Sequence, residues 1–208
     1  NKRNYVITEW MVPGFIEQTG SHIVLYETED TGRSKLDVFL SSDQNLCIKN
    51  VDKKNTQFYF FQDTKVKSMF KRVDHIIFEN VAENDWKLLL IEMKSGIHYQ
   101  KWVEVKGKFR ASYLFAQAVA AILEMNIIES CMYTTYEKAD FRIPDTMLVA
   151  RRPSVGMRSV NPQEEWNGEQ FALNLGLRIP FRHQPVLMTR NSENMLLGIL
   201  QNTVEPES

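Results

Sequence analysis

Residues 73–96, VDHIIFENVAENDWKLLLIEMKSG, hold two runs of strand character around a polar turn. Val73 to Phe78 and Lys87 to Met93 are rich in β-branched and large apolar residues, and Glu83-Asn84-Asp85 between them reads as a hairpin turn. Leu88-Leu89-Leu90-Ile91 is apolar at every position, so that strand is covered on both faces and belongs inside a sheet. Ser95-Gly96 breaks it. Side chains alternate along a strand, which puts Glu92 and Lys94 on one face. With the two runs as antiparallel neighbours, the start of the first lies beside the end of the second. Asp74 then meets Glu92 across 18 positions of sequence.

Working outward, a helical pattern follows, starting at Tyr99 or Val105 and running to Met125. Phe109, Tyr113, Ala116, Gln117, Ala120 and Leu123 recur at three- and four-residue steps, and Gly107 is a candidate start. Ile127 to Tyr136 returns to strand character. Upstream, His22–Glu27, Leu36–Leu40 and Gln57–Phe61 read as strands bounded by turn residues. Downstream, Arg151 to Pro162 reads as a loop, Glu164–Leu175 as a helix and Val186–Thr189 as a last short strand. The order strand, strand, helix, strand over residues 73–136 predicts an α/β fold with a mixed central β-sheet flanked by helices. Residues 1–208 are expected to form a single domain, with the N-terminal strands and a C-terminal elaboration packed on the 73–136 core.

Two carboxylates brought together at Asp74 and Glu92 repel unless a cation sits between them. Oxygen ligands with room for water suit Mg²⁺ or Mn²⁺, and the Met93 carbonyl lies where it can be a further ligand. Such a cation acidifies a bound water and stabilises charge building on a phosphorane-like transition state, while Lys94 can orient or deprotonate that water or neutralise the charge. His75 points to the opposite face of the strand and reads as structural.

The arrangement resembles the PD-(D/E)xK, or restriction-endonuclease-like, nuclease superfamily over roughly Val73 to Tyr136. By that resemblance Asp74 and Glu92 are the metal-binding acids and Lys94 the catalytic lysine of a Mg²⁺-dependent nuclease cutting DNA or RNA. The superfamily often adds an acid from an earlier helix, for which Glu17 or Glu9 is the candidate, and a polar residue from the helix after the lysine, for which Gln117 is the candidate. Val73 stands where the pattern usually has Pro. Many members pair as dimers, so a homodimer is an expected assembly.

The acid-x-Lys pattern alone is weak, since 26 acids and 14 lysines in 208 residues give about two matches by chance and this chain has five. Asp52-Lys53-Lys54 and Asp85-Trp86-Lys87 lie in polar turns, and Glu104-Val105-Lys106 lies in the helix. Asp63-Thr64-Lys65 is the rival: it follows the apolar Phe58–Phe61 run, with Asp37 upstream, but lacks the strand break and the long helix after it. Glu92 and Lys94 also read as an ordinary surface ion pair ending a strand. The basic stretch Lys101, Lys106, Lys108 and Arg110 follows the lysine and is expected at the lip of the same cleft, in contact with nucleic-acid phosphates. A second cationic run, Lys65, Lys67, Lys71 and Arg72, carries no acid.

The formal net charge of −1 leaves nucleic-acid binding open, because contact depends on one face. No apolar run approaches the roughly 18 residues of a membrane span. Cys47 and Cys131 make no disulfide framework and point to a reducing, intracellular (cytoplasmic) setting. The four histidines lack zinc-ligand spacing, and Gly14 and Gly20 make no phosphate loop. Trp10, Trp86, Trp102 and Trp166 read as core or rim packing ahead of base stacking. The competing class is a non-catalytic module of the same fold that binds nucleic acid or serves as an interaction subunit.

Overall fold

The computed structural model of the chain describes residues 2–29, 32–54, 69–142, 161–174 and 178–202. In chain order the elements are helix α1 (Lys2–Glu9) and strands β1 (Glu17–Thr19), β2 (His22–Glu29), β3 (Gly32–Leu40) and β4 (Asn45–Ile48). After a short 3₁₀ turn at Val51–Lys53 come β5 (His75–Asn80), β6 (Asp85–Glu92), β7 (Gly96–His98), helix α2 (Tyr99–Ile122), β8 (Asn126–Tyr136) and β9 (Lys138–Asp140). Helix α3 (Pro162–Trp166) precedes β10 (Phe171–Asn174), β11 (Arg178–Phe181), β12 (His183–Leu187), β13 (Thr189–Arg190) and β14 (Leu196–Asn202).

Among the described residues, the central sheet has six strands in the order β1-β4-β5-β6-β8-β12. It is mixed: β8 runs parallel to β6 and to β12, whereas β1, β4, β5 and β6 pair antiparallel in turn. A second sheet, β13-β14-β3-β2, has β14 parallel to β3. The all-apolar run in β6 has a direct explanation. Leu88 and Leu90, with Ile76 and Phe78 of β5, pack into a core with Trp102, Val105 and Phe109 of α2. Leu89, Ile91 and Met93, with Ile77, pack instead against Leu25, Leu36 and Val38 of the second sheet. The central sheet is therefore the middle of three layers, and among the described residues the expected flanking by helices holds on the α2 face alone, the other face being covered by the second sheet.

The expected pairing of the two founding strands is present, with His75 opposite Ile91 and Asn80 opposite Trp86. The turn between them is closed by the Val81 N–H donating to Asp85 O at 2.9 Å. Helix α2 starts at Tyr99, so Gly107 lies inside it. Its buried face, from Trp102 through Phe109 and Ser112 to Ala120, follows the three- and four-residue steps. Helix α1 is tied to the hairpin end of the sheet, where Arg3 Nε donates to Leu123 O at 3.2 Å and Arg3 also reaches Asn84.

Two downstream expectations are corrected. The described part of the expected 164–175 helix, residues 164–174, is not one helix: α3 is capped by Asn161, whose side chain accepts from Gln163 N. It stops before Gly168, whose φ of +100° no helix can continue. Phe171 then pairs with Phe181 in a β10–β11 hairpin. Val186–Thr189 is not the last strand either, because β12 ends at Leu187 and β14 follows. The Gln57–Phe61 strand, the 151–160 loop and the rival Asp63-Thr64-Lys65 lie outside the described residues.

Two glycines test the packing from opposite sides. A Cβ on Gly107 meets nothing within 4 Å, whereas one on Gly198 in β14 collides with the Met188 sulfur. Gly107→Ala is expected to raise stability by about 0.5–1 kcal/mol, and Gly198→Ala to lower it by about 1–3 kcal/mol. Urea unfolding measures both, and the reverse order of the two variants would contradict the layer packing described.

Candidate active site

Continuing the β5–β6 register by one position sets Asp74 directly opposite Glu92. Residue parity puts both on the α2 side, with Ile76, Phe78, Leu88 and Leu90. Asp74 is 2% exposed and Glu92 0%, and Lys94 at 9% completes a buried trio. His75 faces the other way, is buried, and accepts from Asn50 N through Nδ1 at 3.3 Å.

Each member of the trio is held by backbone or by neighbouring strands. Asp74 Oδ2 accepts from Met93 N–H at 2.6 Å. Val73, standing where the nuclease pattern has Pro, keeps an N–H, and that N–H donates to the buried Ser112 Oγ of α2 at 2.8 Å. Thr135 of β8 clamps Lys94: its Oγ1 accepts from Lys94 N at 2.9 Å and donates to Lys94 O at 3.1 Å. Lys94 Nζ lies 3.1 Å from Glu92 Oε1 and donates to Met93 O at 3.1 Å.

Helix α2 adds a group that sequence reasoning had given another task. Lys108 Nζ lies 2.6 Å from Glu92 Oε1, so this oxygen receives two ammonium groups. Glu92 Oε2, by contrast, is buried without a hydrogen-bond partner. Its register neighbour across β6–β8 is Thr134, and Thr134 has no proton to spare. His183 Nδ1 lies 2.9 Å from the Trp166 carbonyl, which only accepts, so Nδ1 carries the hydrogen. Burial pushes the His183 pKa down to about 4, which keeps the ring neutral. Its Nε2 is therefore the acceptor, and the Thr134 hydroxyl donates to it at 2.8 Å. A buried carboxylate oxygen left unpaired costs about 1–3 kcal/mol or more.

Burial pushes the Asp74 pKa up to about 8, and the adjacent Glu92 charge adds to the rise. Lys94, Lys108 and the Met93 N–H pull it partly back.

The other candidates lie elsewhere or are already engaged. Glu17 sits on strand β1, not on a helix; it is two strands from β5 in the sheet order and paired with Lys49 at 2.9 Å. Glu9 is the exposed last residue of α1. Gln117 lies nine positions beyond Lys108, half a turn round the helix and roughly 13 Å along it. In the basic stretch, Lys101 pairs with Glu104 at 3.4 Å. Lys106 pairs with the buried Glu165 at 2.8 Å, on the oxygen that also accepts from Trp102 Nε1. These lysines, with Lys71 and Arg110, nevertheless line one cavity of about 680 Å³ whose apolar wall includes Val103 and Leu173. Arg72 borders it but is structural, donating to the carbonyls of Val51, Met69 and Lys54. Trp86, Trp102 and Trp166 are core residues, and Trp10 stands exposed.

Among the described residues no three His, Cys, Asp or Glu side chains cluster as a metal-binding set. Two carboxylates and a carbonyl suit a hard cation that keeps several of its own waters, and the unpaired Glu92 Oε2 fits such an ion. The chain matches no family model, no curated protein and no solved structure.

The raised Asp74 pKa gives a stability signature in metal-free buffer. An acid that titrates at about 8 folded and 3.8 unfolded holds its proton more tightly in the native state. Its contribution is complete below pH 3.8 and is lost as pH rises through about 8. His75 and His183, lowered to about 4 from 6.5, act in the opposite sense and only below pH 6.5. Between pH 6.5 and 8 the wild type is therefore expected to lose stability at up to about 1.4 kcal/mol per pH unit. Asp74→Asn, which keeps an acceptor for Met93 N–H, should flatten that slope. Unfolding free energies at four pH values in chelator measure it, and an equal slope in both proteins would remove the raised pKa.

Proposed function

We propose that this chain is a Mg²⁺- or Mn²⁺-dependent phosphodiesterase with a restriction-endonuclease-like core, acting on DNA or RNA. The observation that carries this is the buried Glu92 Oε2, which stays without a hydrogen-bond partner on the strand end facing Asp74, although Lys94 and Lys108 both sit on Oε1. Further support comes from the succession β5, β6, β7, α2, β8, in which the acids stand at the paired ends of two antiparallel strands and the lysine follows two residues after Glu92. The lysine-lined cavity next to Lys108 supplies a route for a phosphate backbone.

In this mechanism Asp74 and Glu92 would hold the cation, and the Met93 carbonyl, which here accepts from Lys94 Nζ, would be a further ligand. When bound, the cation supplies a water acidic enough to attack at neutral pH and positive charge against the oxygens of the phosphoryl group. Lys94, fixed by Met93 O and Thr135, would hold its ammonium beside Glu92 and neutralise charge building on the phosphoryl oxygens. The dry wall formed by Ile76, Phe78, Leu88 and Leu90 keeps the local dielectric low and strengthens each of these interactions.

Cleavage of mixed single- and double-stranded DNA and RNA should require Mg²⁺ or Mn²⁺. Asp74→Ala and Lys94→Ala should each lower the rate by about 10²–10³-fold. Mn²⁺ at a hundred times its dissociation constant should stabilise the wild type by about 2.7 kcal/mol and leave an Asp74→Asn, Glu92→Gln double variant unshifted. A folded wild type that neither cleaves nor gains thermal stability with either metal would support the non-catalytic module instead.

A further inference from the structure

Lys108 stands between the acid pair and the cavity. Its ammonium lies on Glu92 Oε1 at 2.6 Å, yet the residue also borders the cavity lined by Lys71 and Arg110. The two ammonium groups on Glu92 differ in freedom. Lys94 is anchored to the sheet, bonded to Met93 O and clamped through its backbone by Thr135, with its side chain 9% exposed. The Lys108 side chain is 22% exposed and comes from a helix facing the cavity. With both acids ionised, as ligands to a cation must be, Asp74 and Glu92 balance Lys94 and Lys108. A divalent cation added to this buried group leaves two positive charges in excess, which a poorly solvated site disfavours unless one ammonium departs. Lys108 is the one with a path to water.

We propose that Lys108 is a resident counter-ion of the Asp74–Glu92 pair, displaced when a divalent cation binds and turned into the cavity to hold a phosphate of the nucleic-acid strand. This rests on Asp74 and Glu92 being a cation site. The exchange makes and breaks only ion pairs: Lys108 leaves Glu92 and takes a phosphodiester oxygen. Metal and strand therefore bind cooperatively. Cation binding releases a phosphate ligand, and by reciprocity a strand that engages Lys108 clears Glu92 for the cation.

Calorimetric titration of the full chain with Mn²⁺ at fixed pH, without nucleic acid, tests the displacement. Lys108→Met keeps the stem and removes the competing charge, so it should bind Mn²⁺ about tenfold more tightly than wild type. Lys108→Arg, which grips a carboxylate through two N–H groups, should bind it more weakly and gives the opposite sign should the Met variant fold poorly. The delivery step is read from the salt dependence of binding to a hydrolysis-resistant phosphorothioate oligonucleotide. Mn²⁺ should steepen the wild-type log–log slope by about 0.7–0.9, one phosphate contact, and leave the Lys108→Met slope unchanged. Mn²⁺ affinity that is equal or weaker in Lys108→Met overturns the counter-ion role, and equal slope changes in both proteins overturn delivery. Absence of Mn²⁺ binding in wild type and Lys108→Met alike overturns the cation site itself.

Discussion

Two carboxylates enclosed side by side in a dry sheet repel, and much of the local structure around β5 and β6 answers that repulsion. The register forces the contact, because His75 opposite Ile91 leaves Asp74 nowhere to stand but opposite Glu92. The layers on either side keep water away, so both acids are almost fully buried. What offsets the repulsion is local: the Met93 N–H on Asp74, and the ammonium groups of Lys94 and Lys108 on Glu92. Compensation stops there, and one Glu92 oxygen stays unpaired. Replacing such a buried charged group with apolar residues of similar volume is often neutral or stabilising.

The helix above the sheet does two jobs with one set of turns. Its buried face, from Trp102 through Phe109, closes the core over β5 and β6. Its lysines divide between the acid pair and the cavity beside it, with Lys108 belonging to both. Behind the site, Trp166, His183 and Thr134 form a chain of hydrogen bonds with one allowed direction. That chain takes up the hydroxyl of Thr134, the register neighbour of Glu92, and Glu92 Oε2 stays without a partner. Lys106 and Trp102 converge on Glu165 and tie α3 to α2.

The centre of this structure was legible in the sequence because it depends on short-range rules. An apolar tetrapeptide bounded by charges and a polar turn specifies a buried hairpin, and strand parity then puts Glu92 and Lys94 together. The periphery was not legible, for reasons of range. Strand β14 is parallel to β3 through a pairing of Leu196 with Ser34, and nothing within either segment announces the other. Strand β4 has only four residues, too few for a period to show. Residues 164–175 carry helix-compatible spacing, but Gly168 turns the chain at a positive φ and Phe171 pairs with Phe181 in a hairpin. Lys108 was visible as a charge but not as a partner of Glu92, since helix phase relative to the sheet is set by tertiary packing. The same phase sends Gln117 to the far side of α2, away from Lys108.

The most direct measurement is a crystal structure grown with Mn²⁺ and recorded at a wavelength where manganese scatters anomalously. The expected result is one strong anomalous peak between the Asp74 and Glu92 carboxylates, roughly 2 Å from an oxygen of each. A map without that peak, or with manganese bound only elsewhere, would contradict the claim that this pair of acids exists to hold a cation.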